Sequence, residues 1–127
     1  MIPRRWVPSL LWTVVIFTLT SIPDPDAGGI QIGGLDKAIH ASLYAVLAVL
    51  SARGARAWQP GDRVPRWPVV LRILGAIVLV AAVDEWHQQF IPGRSPELLD
   101  WLADAVGTVG GLAAFALTRR RLTAHAR

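Results

Sequence analysis

The chain has 127 residues, of which 53% are hydrophobic and only 17% are charged. Soluble domains carry about 25% charged residues, so this composition favours a membrane protein over a soluble one. The absence of cysteine excludes disulfides and thiolate metal sites. The net charge is +4, and what it indicates about partners depends on where the basic residues lie along the chain.

Four apolar stretches follow one another along the chain, at about residues 6–22, 35–50, 69–89 and 96–117. A helix needs about 20 residues to cross about 30 Å of hydrocarbon. The last three stretches reach that length only with ionisable residues near one end. A segment in lipid must satisfy its own backbone hydrogen bonds, so each is predicted to be a helix. We therefore predict an all-α fold, a four-transmembrane-helix bundle forming one domain over residues 1–127.

The first stretch has two interpretations. Arg4 and Arg5 precede an apolar run, as in a secretory signal peptide. No small-x-small cleavage site follows, because the run ends in Ser21-Ile22-Pro23-Asp24. We expect a retained helix that serves as an anchor, followed by an irregular loop over residues 21–34.

The positive charges predict the orientation. Eleven of the thirteen Lys and Arg residues fall at the N-terminus, in the middle loop and in the C-terminal tail. The positive-inside rule places all three segments, and so both termini, in the cytoplasm. Anionic membrane lipid is then the expected partner of the basic residues, and nucleic acid is not. Lys37, Arg94 and eight of the nine acids remain on the outer side, with Asp62 the exception.

The second stretch carries polar residues at helical spacing. Asp36, His40 and Tyr44 recur every four residues, which places them on one helical face, with Lys37 beside them. Alone, Asp36 could be a helix cap and Lys37 could extend to the lipid headgroups.

The third stretch ends in a polar segment that contains Asp84, Glu85 and Gln88. A tight Pro-Gly turn is predicted at residues 91–94, where Arg94 either belongs to the site or binds lipid phosphate. Glu97 follows and is expected to be solvated.

The fourth stretch carries its acids on a face lined by small residues. Asp100 and Asp104 lie one turn apart, and Gly107 and Gly111 continue from Asp104 in a G-x-x-x-G pattern that lets helix backbones approach closely. Both acids are therefore predicted to face the bundle interior.

By helix rise, the polar residues of these three stretches share one layer just inside the outer leaflet, and the first stretch is expected to take no part in it. The layer holds five acids, Asp36, Asp84, Glu85, Asp100 and Asp104, against two fixed cations, Lys37 and Arg94. Intramembrane acids normally face a partner or a wet cavity. Protonation, a divalent metal ion or a cationic group of a ligand could each balance the excess.

These motifs resemble the VanZ-like family. Asp36-Lys37-x-x-His40-x-x-x-Tyr44 is similar to its D-K-x-x-H-x-x-x-Y element, and a second block is similar over Asp84-Glu85-x-x-Gln88, Pro92-Gly93-Arg94, Asp100, Gly107 and Gly111. Members often carry Asn at the position of Asp104. The resemblance implies a multi-pass protein of the bacterial inner membrane, in a family named for a member linked to teicoplanin resistance.

Two functional hypotheses follow, beside a purely structural role. The protein binds or transports an envelope lipid-linked or glycopeptide-related ligand, with an effect on glycopeptide sensitivity. Alternatively, it is a metal- or acid/base-dependent hydrolase or transferase of a phosphorylated lipid. The predicted catalytic residues are His40, Asp84, Glu85, Asp100 and Asp104, and the predicted binding residues are Asp36, Lys37, Tyr44, Gln88 and Arg94. The sequence leaves the metal and the oligomeric state open, although a dimer could complete a polar cavity.

Overall fold

The computed structural model describes residues 3–23, 34–59, 62 and 64–125. This part of the chain forms four α-helices, α1 (Val7–Thr20), α2 (Leu35–Gly54), α3 (Trp67–Gln88) and α4 (Leu98–His125), with a 3₁₀ turn (Arg4–Trp6) before α1. The predicted all-helical architecture is confirmed. Most of the loop predicted to be irregular, residues 24–33, lies outside the described residues.

Three of the described helices are long and apolar enough to cross a membrane: α2, α3 and the part of α4 that ends at Leu122. α1 has 14 residues, which makes it about 21 Å long at a rise of about 1.5 Å per residue. Pro8 and Pro68 stand in the first turns of α1 and α3, where a missing backbone N–H costs nothing.

Two helices extend beyond their predicted ends. α2 ends at Gly54 rather than at residue 50, and α4 ends at His125 rather than at residue 117. Hydropathy sets the edges of an apolar stretch, whereas helix propensity sets the end of a helix. Arginine is a good helix former, so α4 continues through its basic segment.

The turn between α3 and α4 fixes how these helices meet. The Arg94 amide donates to the Ile91 carbonyl at 3.1 Å, and Gly93 has φ +78°. Proline followed by a glycine with positive φ is typical of a type II turn, which confirms the predicted tight turn. α4 then begins at Leu98, two residues later than predicted.

α2 packs mainly against α4. A Cβ atom at Gly107 would overlap the carbonyl oxygen of Ala41, and one at Gly111 would overlap that of Ala45. The two backbones are therefore in direct contact along the glycine face, as the G-x-x-x-G pattern predicted. This close approach brings the polar residues of α2 and α4 together.

The outward faces of the helices are apolar. Leu11, Val14, Leu71, Leu79 and Val106 each have more than 60% of their surface exposed. Extended apolar surface of this kind mostly marks contact with a membrane or a partner. Polar side chains are instead buried between the helices, at the end of the bundle where α3 meets α4.

Candidate functional site

A set of polar side chains from three helices is buried at one end of the bundle. We call it the buried polar cluster, and its members are His40 and Tyr44 of α2, Asp84, Glu85 and Gln88 of α3, and Asp100 and Asp104 of α4. All seven are residues that the sequence predicted for the site. Lys37, Asp36 and Arg94 lie outside this cluster.

His40 and Asp104 form a buried pair across the α2–α4 interface. His40 Nδ1 lies 3.1 Å from Asp104 Oδ1. Asp104 is 0% exposed, and its Oδ2 atom has no hydrogen-bond partner among the described residues. A carboxylate on Nδ1 fixes the orientation of a histidine ring and, in the neutral tautomer, leaves the lone pair on Nε2.

Asp84 is held by hydroxyl groups. Thr20 Oγ1 donates to Asp84 Oδ1 at 2.7 Å, and the Tyr44 hydroxyl donates to Asp84 Oδ2 at 3.4 Å. Thr20 is the last residue of α1, so the expectation that the first span takes no part in the polar layer was wrong. A threonine in an apolar run gives no periodic signal, and its place at the polar end of that run is the only hint in the sequence.

Glu85 joins the end of α3 to the start of α4. Its Oε1 accepts a hydrogen bond from Gln88 Nε2 at 3.2 Å, and its Oε2 accepts one from the backbone N–H of Glu97 at 2.9 Å. Both donors are neutral, so no positive charge balances Glu85 in these contacts. The carboxylate satisfies a backbone donor at the N-terminus of α4 that would otherwise lack a partner.

Lys37 lies at the rim of the cluster among three carboxylates. Its Nζ atom is 2.9 Å from Asp36 Oδ2, 2.6 Å from Glu97 Oε2 and 2.7 Å from Asp100 Oδ1. Asp36 and Glu97 are about half exposed, and Asp100 is buried. Glu97, which was expected to be solvated, is therefore paired through its side chain as well as its backbone.

The described hydrogen bond of the Arg94 side chain is made outside the cluster. The Nε atom donates to the carbonyl oxygen of Ile22 at 2.9 Å. Ile22 follows the end of α1, so this arginine links the turn between α3 and α4 to the first helix. The sequence predicted either a site role or a lipid-phosphate contact for Arg94, and nothing in its position indicated a contact with the residues that follow α1.

Two groups of side chains have the spacing of a metal site. One consists of His40, Glu85 and Asp100, all buried, and the other of Asp36, Glu97 and Asp100. In each group, one ligand atom per residue lies within 4.8 Å of the others. Imidazole nitrogen and carboxylate oxygen are ligands of divalent transition metals, whereas three carboxylates suit harder ions.

A shallow groove lies beside the cluster, on the side of α3 and α4. Its volume is about 250 Å³, and Glu85 lines it together with Ala82, Pro96, Leu98 and Trp101 among others. The lining is mainly apolar, so the groove offers a hydrophobic surface that leads to a buried carboxylate.

Comparison with known proteins gives one family. The family model described as VanZ/LLP1 matches residues 2–119, a range that contains every residue of the cluster. No curated protein and no solved structure matches the chain.

Proposed function

The chain belongs to the VanZ/LLP1 family and is a VanZ-like membrane protein, and we propose that its buried polar cluster binds the head group of a lipid-linked envelope ligand. In this proposal the protein spans the bacterial inner membrane four times, with both termini in the cytoplasm. The cluster then lies at the outer leaflet, where lipid-linked precursors of the cell envelope are exposed. An effect on teicoplanin sensitivity would be a consequence of holding such a ligand.

The observation that carries the proposal is the burial of four acids, Asp84, Glu85, Asp100 and Asp104, between apolar helices. A single charge at the centre of a membrane helix costs about 2.5–3.5 kcal/mol on insertion scales, which is an upper bound for these acids because they lie toward one end of the bundle. The glycine face already packs α2 against α4, so the acids are not needed to bring these helices together. Ionisable residues retained at such a cost are a functional site by default.

The chemistry of the rim and the groove supports an amphipathic ligand with an anionic head. Lys37 provides a cation at the rim, about a quarter exposed, and a phosphate oxygen would replace one of its exposed carboxylate partners, Asp36 or Glu97. The groove beside Glu85 can accept the first part of a hydrocarbon chain. The exposed apolar surfaces of α3 and α4 extend from this groove toward the surrounding lipid, where the rest of the hydrocarbon chain would lie.

An enzyme acting on the same class of lipid is the second candidate, and the His40–Asp104 pair favours it. A histidine oriented by a buried carboxylate is typical of a general base. Turnover of a phosphorylated lipid by purified protein, lost in a His40→Ala variant, would distinguish the enzyme from a binding protein.

Binding can be measured by native mass spectrometry of the purified full chain with a polyprenyl phosphate. We expect the wild type to retain the lipid and Lys37→Gln to weaken binding about tenfold, the effect of losing one charge-assisted hydrogen bond. Ser42→Ala is the matched control on the same helix, because Ser42 is exposed and bonds only to the Ala38 carbonyl in the described contacts. Equal retention by the wild type and Lys37→Gln, or none by either, would contradict the proposal.

A further inference from the structure

The charges inside the cluster do not balance. The carboxylates of Asp84 and Glu85 accept hydrogen bonds only from neutral donors in the described contacts. Asp104 faces His40 on one oxygen and has an unpartnered second oxygen. Lys37 contacts Asp100 but is shared with Asp36 and Glu97 outside the cluster. A buried charge without a partner costs several kcal/mol, so a further cation or protons must complete the cluster.

Of the two groups with metal-site spacing, one already holds a cation. The ammonium group of Lys37 lies within 2.9 Å of a carboxylate oxygen of each member of the group Asp36, Glu97 and Asp100. The negative charge of that group is therefore at least partly balanced by a side chain of the protein itself. The buried group of His40, Glu85 and Asp100 shares Asp100, and therefore its contact with Lys37, with the first group, but in the described contacts Lys37 reaches neither His40 nor Glu85.

From this geometry we infer that His40, Glu85 and Asp100 bind one divalent transition-metal ion, of the class of Zn²⁺ or Mn²⁺. The three side chains come from three helices, and one ligand atom of each lies within 4.8 Å of the others. Two ligands on opposite sides of one ion, each at about 2.0–2.2 Å, lie about 4.0–4.4 Å apart, so a small shift of the side chains brings all three into range. One imidazole and two carboxylates are a ligand set that these ions accept and that leaves positions open for water or substrate.

The surroundings of the three ligands fit this role. Asp104 holds His40 through Nδ1, so a metal ion bound at Nε2 would complete the carboxylate–histidine–metal arrangement, in which a ligating ring is oriented through its other nitrogen. Gln88 and the backbone of Glu97 hold Glu85 in the same way. The positive charge of a bound ion would also offset the negative charge of the buried acids, which otherwise repels a phosphate. The metal site goes beyond the proposed lipid binding and does not depend on it.

The test is titration of the purified full chain, made without a histidine tag, with ZnCl₂ and separately with MnCl₂ in detergent and without added lipid. Isothermal calorimetry gives affinity and stoichiometry, and the shift in melting temperature gives a second readout. We expect one ion per chain in the wild type. Glu85→Gln removes a ligand and Asp104→Asn removes an outer partner. Each should weaken binding by about tenfold or more, since outer partners alone are typically worth 10–100-fold.

Asp36→Asn is the matched control, because it removes a neighbouring carboxylate that belongs only to the group around Lys37. Its affinity for the metal should stay within about twofold of the wild type, and circular dichroism should show that each variant keeps its helices. Three results would overturn the inference. They are no binding by the wild type at millimolar metal, wild-type affinity in Glu85→Gln, or a loss in Asp36→Asn as large as in Glu85→Gln. Because this titration contains no added lipid, a failure to bind metal would not decide whether the protein binds a polyprenyl phosphate.

Discussion

At the scale of single residues, Asp84 is the acid most dependent on its neighbours. It is 0% exposed, and it receives hydroxyl donors from both α1 and α2. The bond from Thr20 Oγ1 is the shorter of the two and is the only hydrogen bond from α1 to the cluster among the described contacts. This one hydroxyl therefore joins the first helix to the polar end of the bundle.

Replacing Thr20 by valine should destabilise the protein by about 1–3 kcal/mol, because it leaves a buried carboxylate oxygen without a donor. Thr18→Val is the matched control. The hydroxyls of Thr18 and Thr20 both lie within hydrogen-bonding distance of the carbonyl four residues earlier, but only that of Thr20 also reaches an acid, to which it can give its single proton. Melting temperatures of the two variants in the same detergent measure the difference. A Thr18→Val loss as large as that of Thr20→Val would show that the bond to Asp84 contributes nothing.

At the scale of helices, the glycine face of α4 determines whether the cluster can assemble. Gly107 and Gly111 lie against the backbone of α2, whereas Gly110, on the same helix, has no atom within 4 Å of an added Cβ. Gly107 lies less than one turn after Asp104. Displacement of α2 at Gly107 therefore acts directly on the pair between His40 and Asp104.

Gly107→Ala should cost about 1–3 kcal/mol through overpacking, because a rigid backbone carbonyl and not a flexible side chain occupies the space. Gly110→Ala should leave stability unchanged or raise it by up to about 1 kcal/mol, since alanine is the better helix former. Thermal unfolding of both variants tests this, and metal affinity reports on the cluster at the same time. Equal stability of the two alanine variants would contradict the close packing of α2 and α4.

Periodicity explains how much of the fold and site could be predicted. Apolar stretches gave four helices, and spacing of three and four residues placed His40, Asp100 and Asp104 on inward faces. Contacts between distant segments were not accessible in this way. The bond from Thr20 to Asp84 spans 64 residues, and the link from Arg94 to Ile22 spans 72. In neither contact does one residue predict the other from the sequence. A threonine hydroxyl and a backbone carbonyl occur throughout the chain, so neither one identifies a particular partner.

At the scale of the whole molecule, charge is distributed unevenly between the two ends. The basic residues of the described chain concentrate at the start of α1, around the connection from α2 to α3 and at the end of α4, whereas the buried acids lie at the opposite end. The positive-inside rule then predicts that the cluster faces the non-cytoplasmic side of the membrane. That orientation requires α1 to cross the membrane despite its 14 residues. Local thinning of the bilayer and extension of flanking basic side chains accommodate such short helices at modest cost.

Labelling of single cysteines tests both the orientation and the count of four spans. The chain has no cysteine, so any label on the chain purified afterwards marks the introduced residue. Ser95, between α3 and α4, is exposed, as are Pro3 before α1 and Ala124 near the end of α4. With outer membranes permeabilised, a membrane-impermeant maleimide should label Ser95→Cys in intact cells. It should label Pro3→Cys and Ala124→Cys only after lysis. Labelling of Pro3→Cys from outside, with Ala124→Cys still protected, would reduce the count to three spans. Protection of Ser95→Cys would reverse the orientation and place the buried polar cluster at the cytoplasmic leaflet, where an outer-leaflet ligand could not reach it.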